Sequence, residues 1–263
     1  MLNAFFWAAG AVLTLMTLVW AISLQKRDAS IVDIVWGPAF VLAAWVYQWK
    51  LPAGDGPWRL VPLAFVTIWG LRLAAHIASR HSGEDRRYVE MRRKRPDSFT
   101  SWSLYGIFWF QGALASVISL PLLFALCAPR PQHFTVLDAV AIAVFLIGFT
   151  FEALGDWQLT RFKADPSNRG RVLDTGLWRY TRHPNYFGDA AVWWSFGLFA
   201  SVTEGGLYTW PSVLLMTFFL LKVSGVALLE KDISERRPAY RDYIERTPAF
   251  IPWFPKKKAG AQP

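Results

Sequence analysis

Residues 2–24 read LNAFFWAAGAVLTLMTLVWAISL, 23 consecutive positions without an ionisable side chain. At about 1.5 Å of rise per residue, a helix of that length reaches across the roughly 30 Å hydrocarbon core of a bilayer. Runs of the same kind recur along the chain. Apolar blocks at Leu2–Leu24, Ile31–Trp49, Leu60–Ser79, Ile107–Leu126, Phe134–Gly155, Tyr186–Val202 and Leu207–Leu229 predict seven transmembrane helices and an all-α fold. No Lys or Arg precedes the first block, so it lacks the basic start of a cleaved signal peptide and reads as a retained helix.

The composition agrees. Of 263 residues, 54% are hydrophobic, 16% aromatic and only 18% charged, with 15 Trp. Soluble domains carry about 25% charged residues. Disordered, disulfide-rich and ordinary soluble classes are excluded. The single Cys127 can form neither an intramolecular disulfide nor a cluster of thiolate ligands, and no metal set is expected.

A formal charge of +9 would suit nucleic acid if it were spread over one face. It is not. Alternate links between the blocks hold 23 Lys and Arg on one side and 3 on the other. The positive-inside rule then puts the N-terminus outside and the C-terminus in the cytoplasm, and no nucleic-acid partner is needed to explain the charge. The chain reads as one membrane-embedded domain, residues 1–133 forming a substrate side and 134–263 a cofactor-binding half with cytoplasmic loops and tail.

An ionisable group at the bilayer centre costs about 2.5–3.5 kcal/mol, so each needs a reason. Asp33, in IVDIVWGPAF, either caps the helix after Ser30 or faces a cavity. In WGLRLAAHIASRH, Arg72, His76 and Arg80 recur every fourth residue and share a helical face. The segment GEDRRYVEMRRKRPDSF, residues 83–99, reads as solvated and close to anionic headgroups.

Residues 151–189, FEALGDWQLTRFKADPSNRGRVLDTGLWRYTRHPNYFGD, interleave acids, amides and cations. Glu152, Asp156, Thr160 and Lys163 share a face of a helix that Pro166 ends. Asn168-Arg169-Gly170-Arg171 is a turn with two guanidinium groups, and Arg182, His183, Asn185 and Tyr186 cluster before the sixth block. Loop charge bias explains the cations. It does not explain Asp156, His183, Asn185, Tyr186 and Asp189, which suit a polar, multiply charged ligand such as a nucleotide. Neither GxGxxG nor GxxxxGK[ST] occurs, so a Rossmann or P-loop mode is not expected. In the tail, Tyr240 and Tyr243 sit three apart on a short helix, and FIPWFP folds back along the interface.

The strings GLWRYTRHPNYFGD and EKDISERRPAYRDYIERTPAFIPWFP resemble the C-terminal region of the steroid 5-alpha-reductase-like family. SIVDIVWGP and RLAAHIASRHSGEDRRY are similar to its uncharacterised bacterial membrane branch, which implies a bacterial inner membrane. The resemblance implies seven membrane helices and NADPH, held in a cytoplasm-facing cavity, reducing a carbon–carbon double bond. It implies that Asp156, Lys163, Arg171, Arg182 and Asn185 contact the dinucleotide, and that Glu230, Asp232 and Tyr240 close the pocket from the tail. RHPNY is also similar to a motif of isoprenylcysteine carboxyl methyltransferases, which bind S-adenosylmethionine. Asn-Tyr-Phe-Gly followed by acidic Asp189, the number of spans and Asp156 favour the reductase.

The substrate half departs from the pattern. Steroid reductases grip an enone oxygen with a Gln-Glu pair on the second helix and a Tyr on the third. Here the second span offers Asp33 without that pair, and the third offers His76 without an evident matching Tyr. The expected catalytic set is therefore His76 as proton donor, supported by Arg72, with Asp33 orienting it or relaying the proton to a hydrophobic substrate from the bilayer. The competing expectations are a methyltransferase and a non-enzymatic membrane scaffold.

Overall fold

A computed structural model describes residues 1–50, 56–223, 225, 226, 230 and 240–256. No strand occurs among them. The chain is an all-α polytopic membrane protein. Its helices are α1 (Leu2–Lys26), α2 (Ala29–Trp49, opening with a 3₁₀ stretch), α3 (Pro57–Arg80) and the short α4 (Arg86–Arg93). They continue with α5 (Phe99–Ile118), α6 (Leu120–Cys127), α7 (Val136–Ala164), α8 (Pro184–Ser201), α9 (Gly206–Val223) and α10 (Tyr240–Arg246).

Helices α1, α2, α3, α7 and α9 are each long and apolar enough to cross a membrane. The fourth predicted span is a broken one. A π-helical turn at Leu104–Trp109 precedes the break, and α5 and α6 meet at 42°. Pro121 causes the bend: it has no N–H to donate and its ring excludes the carbonyl four residues back. The sixth span, α8, falls outside the apolar set. Its first turns carry Asn185, Tyr186 and Asp189, and most of its length is buried. A helix covered by protein need not be apolar all round. Helix α7 runs nine residues beyond its predicted end, so Asp156 and Lys163 stand on it as expected, and it stops before Pro166.

The helices form two compact units, one of Met1–Leu137 with Phe199–Ser212, the other of Asp138–Leu198 with Val213–Pro263. In the first, α1 turns a stripe of Ala4, Ala8, Val12, Met16 and Val19 inward and packs on α2 and α5. Helices α2 and α3 cross at Gly37 and Gly70. A Cβ on Gly37 would stand 2.2 Å from the Gly70 carbonyl oxygen, so only glycine permits this approach. In the second unit, α7 and α8 touch at Gly148 and Gly188, where a Cβ on Gly188 would lie 2.4 Å from the backbone nitrogen of Glu152. Phe145 against Phe196 and Phe151 against Phe187 fill the seam on either side. Small residues let backbones close up where lipid gives no hydrophobic drive to associate.

Candidate functional site

Two polar clusters stand out, one in each unit. The first surrounds Asp33. Helix α2 opens with a 3₁₀ stretch whose cap is Asp28, not Asp33: Asp28 Oδ1 accepts from the Ser30 amide at 2.9 Å and from its hydroxyl at 2.6 Å. Burial pushes the Asp28 carboxyl up, but the Ser30 and His81 hydrogen bonds outweigh it and hold the group below its ordinary value. The turn is fastened from outside. Glu84 accepts from the Ala29 amide at 2.8 Å and from Arg92 at 2.7 Å, and the Asp85 amide donates to the Ser30 hydroxyl at 3.1 Å.

That leaves Asp33 for other work. Its Oδ1 accepts from the Tyr88 hydroxyl at 2.7 Å and its Oδ2 from Arg87 at 2.9 Å. The Tyr88 oxygen in turn accepts from Gln111 Nε2 at 3.4 Å, and Gln111 Oε1 accepts from the Trp36 indole. Tyr88 is 6% exposed. Burial, then the Asp33 charge and hydrogen bond, push the phenol well above its usual range, so it is a neutral donor at pH 7. Arg87 loses some basicity to burial, yet its bonds to Asp85 and the charge of Asp33 raise it overall, so it stays charged.

His76 is not among the groups that bond Asp33. Its Nε2 meets the Arg80 guanidinium at 3.0 Å. A guanidinium only donates, so this nitrogen is an acceptor and the imidazole proton sits on Nδ1. Arg72 lies one turn deeper on α3, half-buried. The stripe is real, but the carboxylate expected to orient His76 is held by Tyr88 and Arg87. Sequence reasoning missed both because they lie in a segment dense in charge, which reads as solvated. The signal was Tyr88 itself, the one phenol in the RLAAHIASRHSGEDRRY string.

The second cluster joins the 176–183 loop, the start of α8 and the tail. Trp178 donates from its indole to the Gly155 carbonyl at 3.1 Å, pinning the loop to α7. Arg182 binds Glu230 through Nε at 2.7 Å and Nη2 at 2.9 Å, and its Nη1 donates to the carbonyls of Ile244 at 3.0 Å and Thr247 at 2.6 Å. His183 Nε2 meets the same Glu230 carboxylate at 2.9 Å and stacks on Tyr186. Burial raises Glu230, but His183 and Arg182 together bring it down to about 2. The tail lies along the loop: Thr181 donates to the Phe250 carbonyl at 2.9 Å, the Trp253 amide donates to the Tyr180 carbonyl at 2.9 Å, and Tyr243 donates to the Trp178 carbonyl. Tyr240 stacks edge-on against Tyr243.

Asn185, on α8, donates from Nδ2 to Asp156 Oδ1 on α7 at 3.1 Å. The Asn185 Oδ1 is buried and has no donor among the described residues. Lys163, in the last turn of α7, and Arg169 and Arg171 just beyond it are exposed. Arg182 differs from expectation: with four of its five N–H groups committed to Glu230 and two carbonyls, it is a clamp on the tail and not a free cation for phosphate. Asp232 lies outside the described residues.

Residues 19–247 match the family described as a protein of unknown function, DUF1295. The chain belongs to that family. An uncharacterized protein of Schizosaccharomyces pombe is 27% identical over 261 residues, covering 89% of this chain and 75% of the relative. No solved structure matches. The DUF1295 match takes in both clusters, from Asp33 and Tyr88 to Arg182, Asn185, Glu230 and Tyr243.

Proposed function

We propose that this DUF1295 protein is an NADPH-dependent membrane reductase that saturates the carbon–carbon double bond of an enone in a lipid-like or steroid-like substrate drawn from the bilayer. The observation that carries the reading is the buried Tyr88 phenol held by Asp33 and Arg87, a neutral donor kept in place by charge. It supplies the tyrosine that the third span lacked in the sequence. The proposed membrane is the bacterial inner membrane, on the resemblance alone.

The second unit offers groups that fit a dinucleotide. The Asn185 carbonyl is buried and lacks a donor, as a carboxamide or ribose hydroxyl would supply, and Lys163, Arg169 and Arg171 suit phosphates. Bound NADPH would supply a hydride to the electron-poor alkene carbon and become NADP+, and a proton from water would complete the saturation at the carbon beside the carbonyl. Tyr88 presents its O–H to a carbonyl oxygen that takes the place of Asp33 as acceptor, and so stabilises the enolate charge that develops there. Arg87 holds Asp33 by its other oxygen, so the phenol returns to the same acceptor after each turnover. Glu230, Arg182 and His183 hold the tail and the start of α8 in register, which orients Asn185.

A second reading rests on RHPNY, whose resemblance extends to S-adenosylmethionine-dependent methyltransferases. Purified protein titrated with NADPH, NADH and S-adenosylmethionine, then assayed for NADPH oxidation with a panel of enones, separates the two. NADPH binding that falls in Asn185→Ala and Asp156→Ala supports the reductase. Binding of S-adenosylmethionine, with no NADPH oxidation by any enone, hands the site to methyl transfer.

A further inference from the structure

The chain of hydrogen bonds ending on Asp33 has a direction, and the direction is set at its far end. An indole nitrogen can only donate. Trp36 therefore obliges Gln111 to face it with Oε1, which turns the Gln111 NH₂ toward the Tyr88 oxygen. That oxygen, approached by a donor on one side, must send its own proton to the other, where Asp33 accepts at 2.7 Å. Arg87, also donor-only, closes the chain on the second carboxylate oxygen at 2.9 Å. With Asp33 as a carboxylate, donors at both ends leave one consistent arrangement of the protons between them.

The backbone delivers Gln111 to this position. The π-helical turn at Leu104–Trp109 adds a residue to α5 just before it, which rotates every later side chain by roughly 100° relative to a regular helix. Such turns recur where a side chain must be re-aimed at a site.

We propose that Gln111, locked by Trp36, is a positioning residue that fixes the direction of the Tyr88 hydroxyl proton. The catalytic consequence rests on the reductase reading; the orientation of the proton does not. Tyr88 then waits with its oxygen occupied on one side and its proton on the other, and a carbonyl oxygen that displaces Asp33 meets an O–H already aimed.

The test uses full-length protein in detergent, with the ring carbon bearing the hydroxyl labelled in every tyrosine. The Tyr88 resonance is assigned by its loss in Tyr88→Phe, and it reports the phenol's hydrogen bonding without any turnover. Gln111→Met and Trp36→Phe are expected to move this resonance in the same direction, and the double variant no further than Gln111→Met alone. Gln111→Glu, close to the parent in shape, keeps an acceptor for Trp36 but removes the donor to Tyr88, and is expected to move it too. In NADPH oxidation, Trp36→Phe is expected to lower kcat about 10-fold with KM nearly unchanged. A Tyr88 resonance that stays in place in Trp36→Phe, or that shifts additively in the double variant, overturns the lock. The expected resonance shifts in a protein that reduces no enone would keep the positioning and sink the reductase reading, so the two fail separately.

Discussion

At the scale of single residues, two competing donors can be separated by substitution. Tyr88→Phe removes one hydroxyl and leaves the ring, while His76→Gln keeps a neutral hydrogen-bonding side chain. Tyr88 is the donor in the proposed chemistry, so Tyr88→Phe should slow enone reduction by roughly 100-fold or more, the scale of one lost acid–base or oxyanion contact. His76→Gln should stay within a few-fold, because its Nε2 is engaged by Arg80. The reverse ranking in steady-state kinetics would return the role to His76. Glu230 gives a prediction in pH. Its folded-state pKa of about 2 lies below its ordinary value of 4.5, so the stability it contributes is complete above about pH 4.5 and is lost as pH falls toward 2. The thermal midpoint of the parent should fall over that range, and that of Glu230→Gln should fall less. At pH 7 the same variant should be destabilised by about 3–5 kcal/mol, because Arg182 is then left buried beside a neutral partner.

At the scale of helices, the seam between α7 and α8 decides whether the second cluster exists. Gly188→Ala places a methyl against backbone atoms of Gly148 and Glu152, none of which can rotate away. Overpacking of this kind costs about 1–3 kcal/mol. The two helices must part, and Asn185, one turn before Gly188, should lose its bond to Asp156. Thermal stability and NADPH affinity should fall together in Gly188→Ala. Gly10→Ala is the control, since nothing lies within 4 Å of its Cβ, and it should change neither. The same scale shows what the sequence made legible. The positions of the spans and the extension of α7 toward Pro166 follow from apolar blocks, helical spacing and proline. The break in the fourth span was not foreseen, although Pro121 marked it, because a run of apolar residues hides a bend. The partners of Asp33 stayed hidden for a different reason. Arg87, Tyr88 and Gln111 lie 54, 55 and 78 residues away in sequence, and no periodicity links a charged loop to a carboxylate on another helix.

For the whole molecule, the remaining question is which way the helices face. The split of 23 Lys and Arg against 3 is strong, but its force depends on those cations being free to interact with the cytoplasmic leaflet. Arg87, Arg92 and Arg182 are bound to carboxylates in the folded protein. Their pairing does not weaken the argument, because orientation is decided as the helices insert, before such tertiary pairs form. Reporter fusions should then show a cytoplasmic C-terminus, with activity at the C-terminal junction from a reporter that works only inside the cell and none from one that works only outside. A fusion after Pro131, in the loop where Arg130 stands alone, should show the opposite pattern. The charge in the 80–106 link offers the sharper test. Replacing Arg86, Arg93, Lys94 and Arg95 with Gln spares Arg87 and Arg92, which hold Asp33 and Glu84, yet removes four of that link's seven cations. Mixed orientation at the C-terminal reporter, with Tyr88 chemistry intact in the correctly inserted fraction, is the expected result. A uniform cytoplasmic C-terminus in that variant would mean that the remaining cytoplasmic links set the topology by themselves, and an external C-terminus in the parent would overturn the assignment.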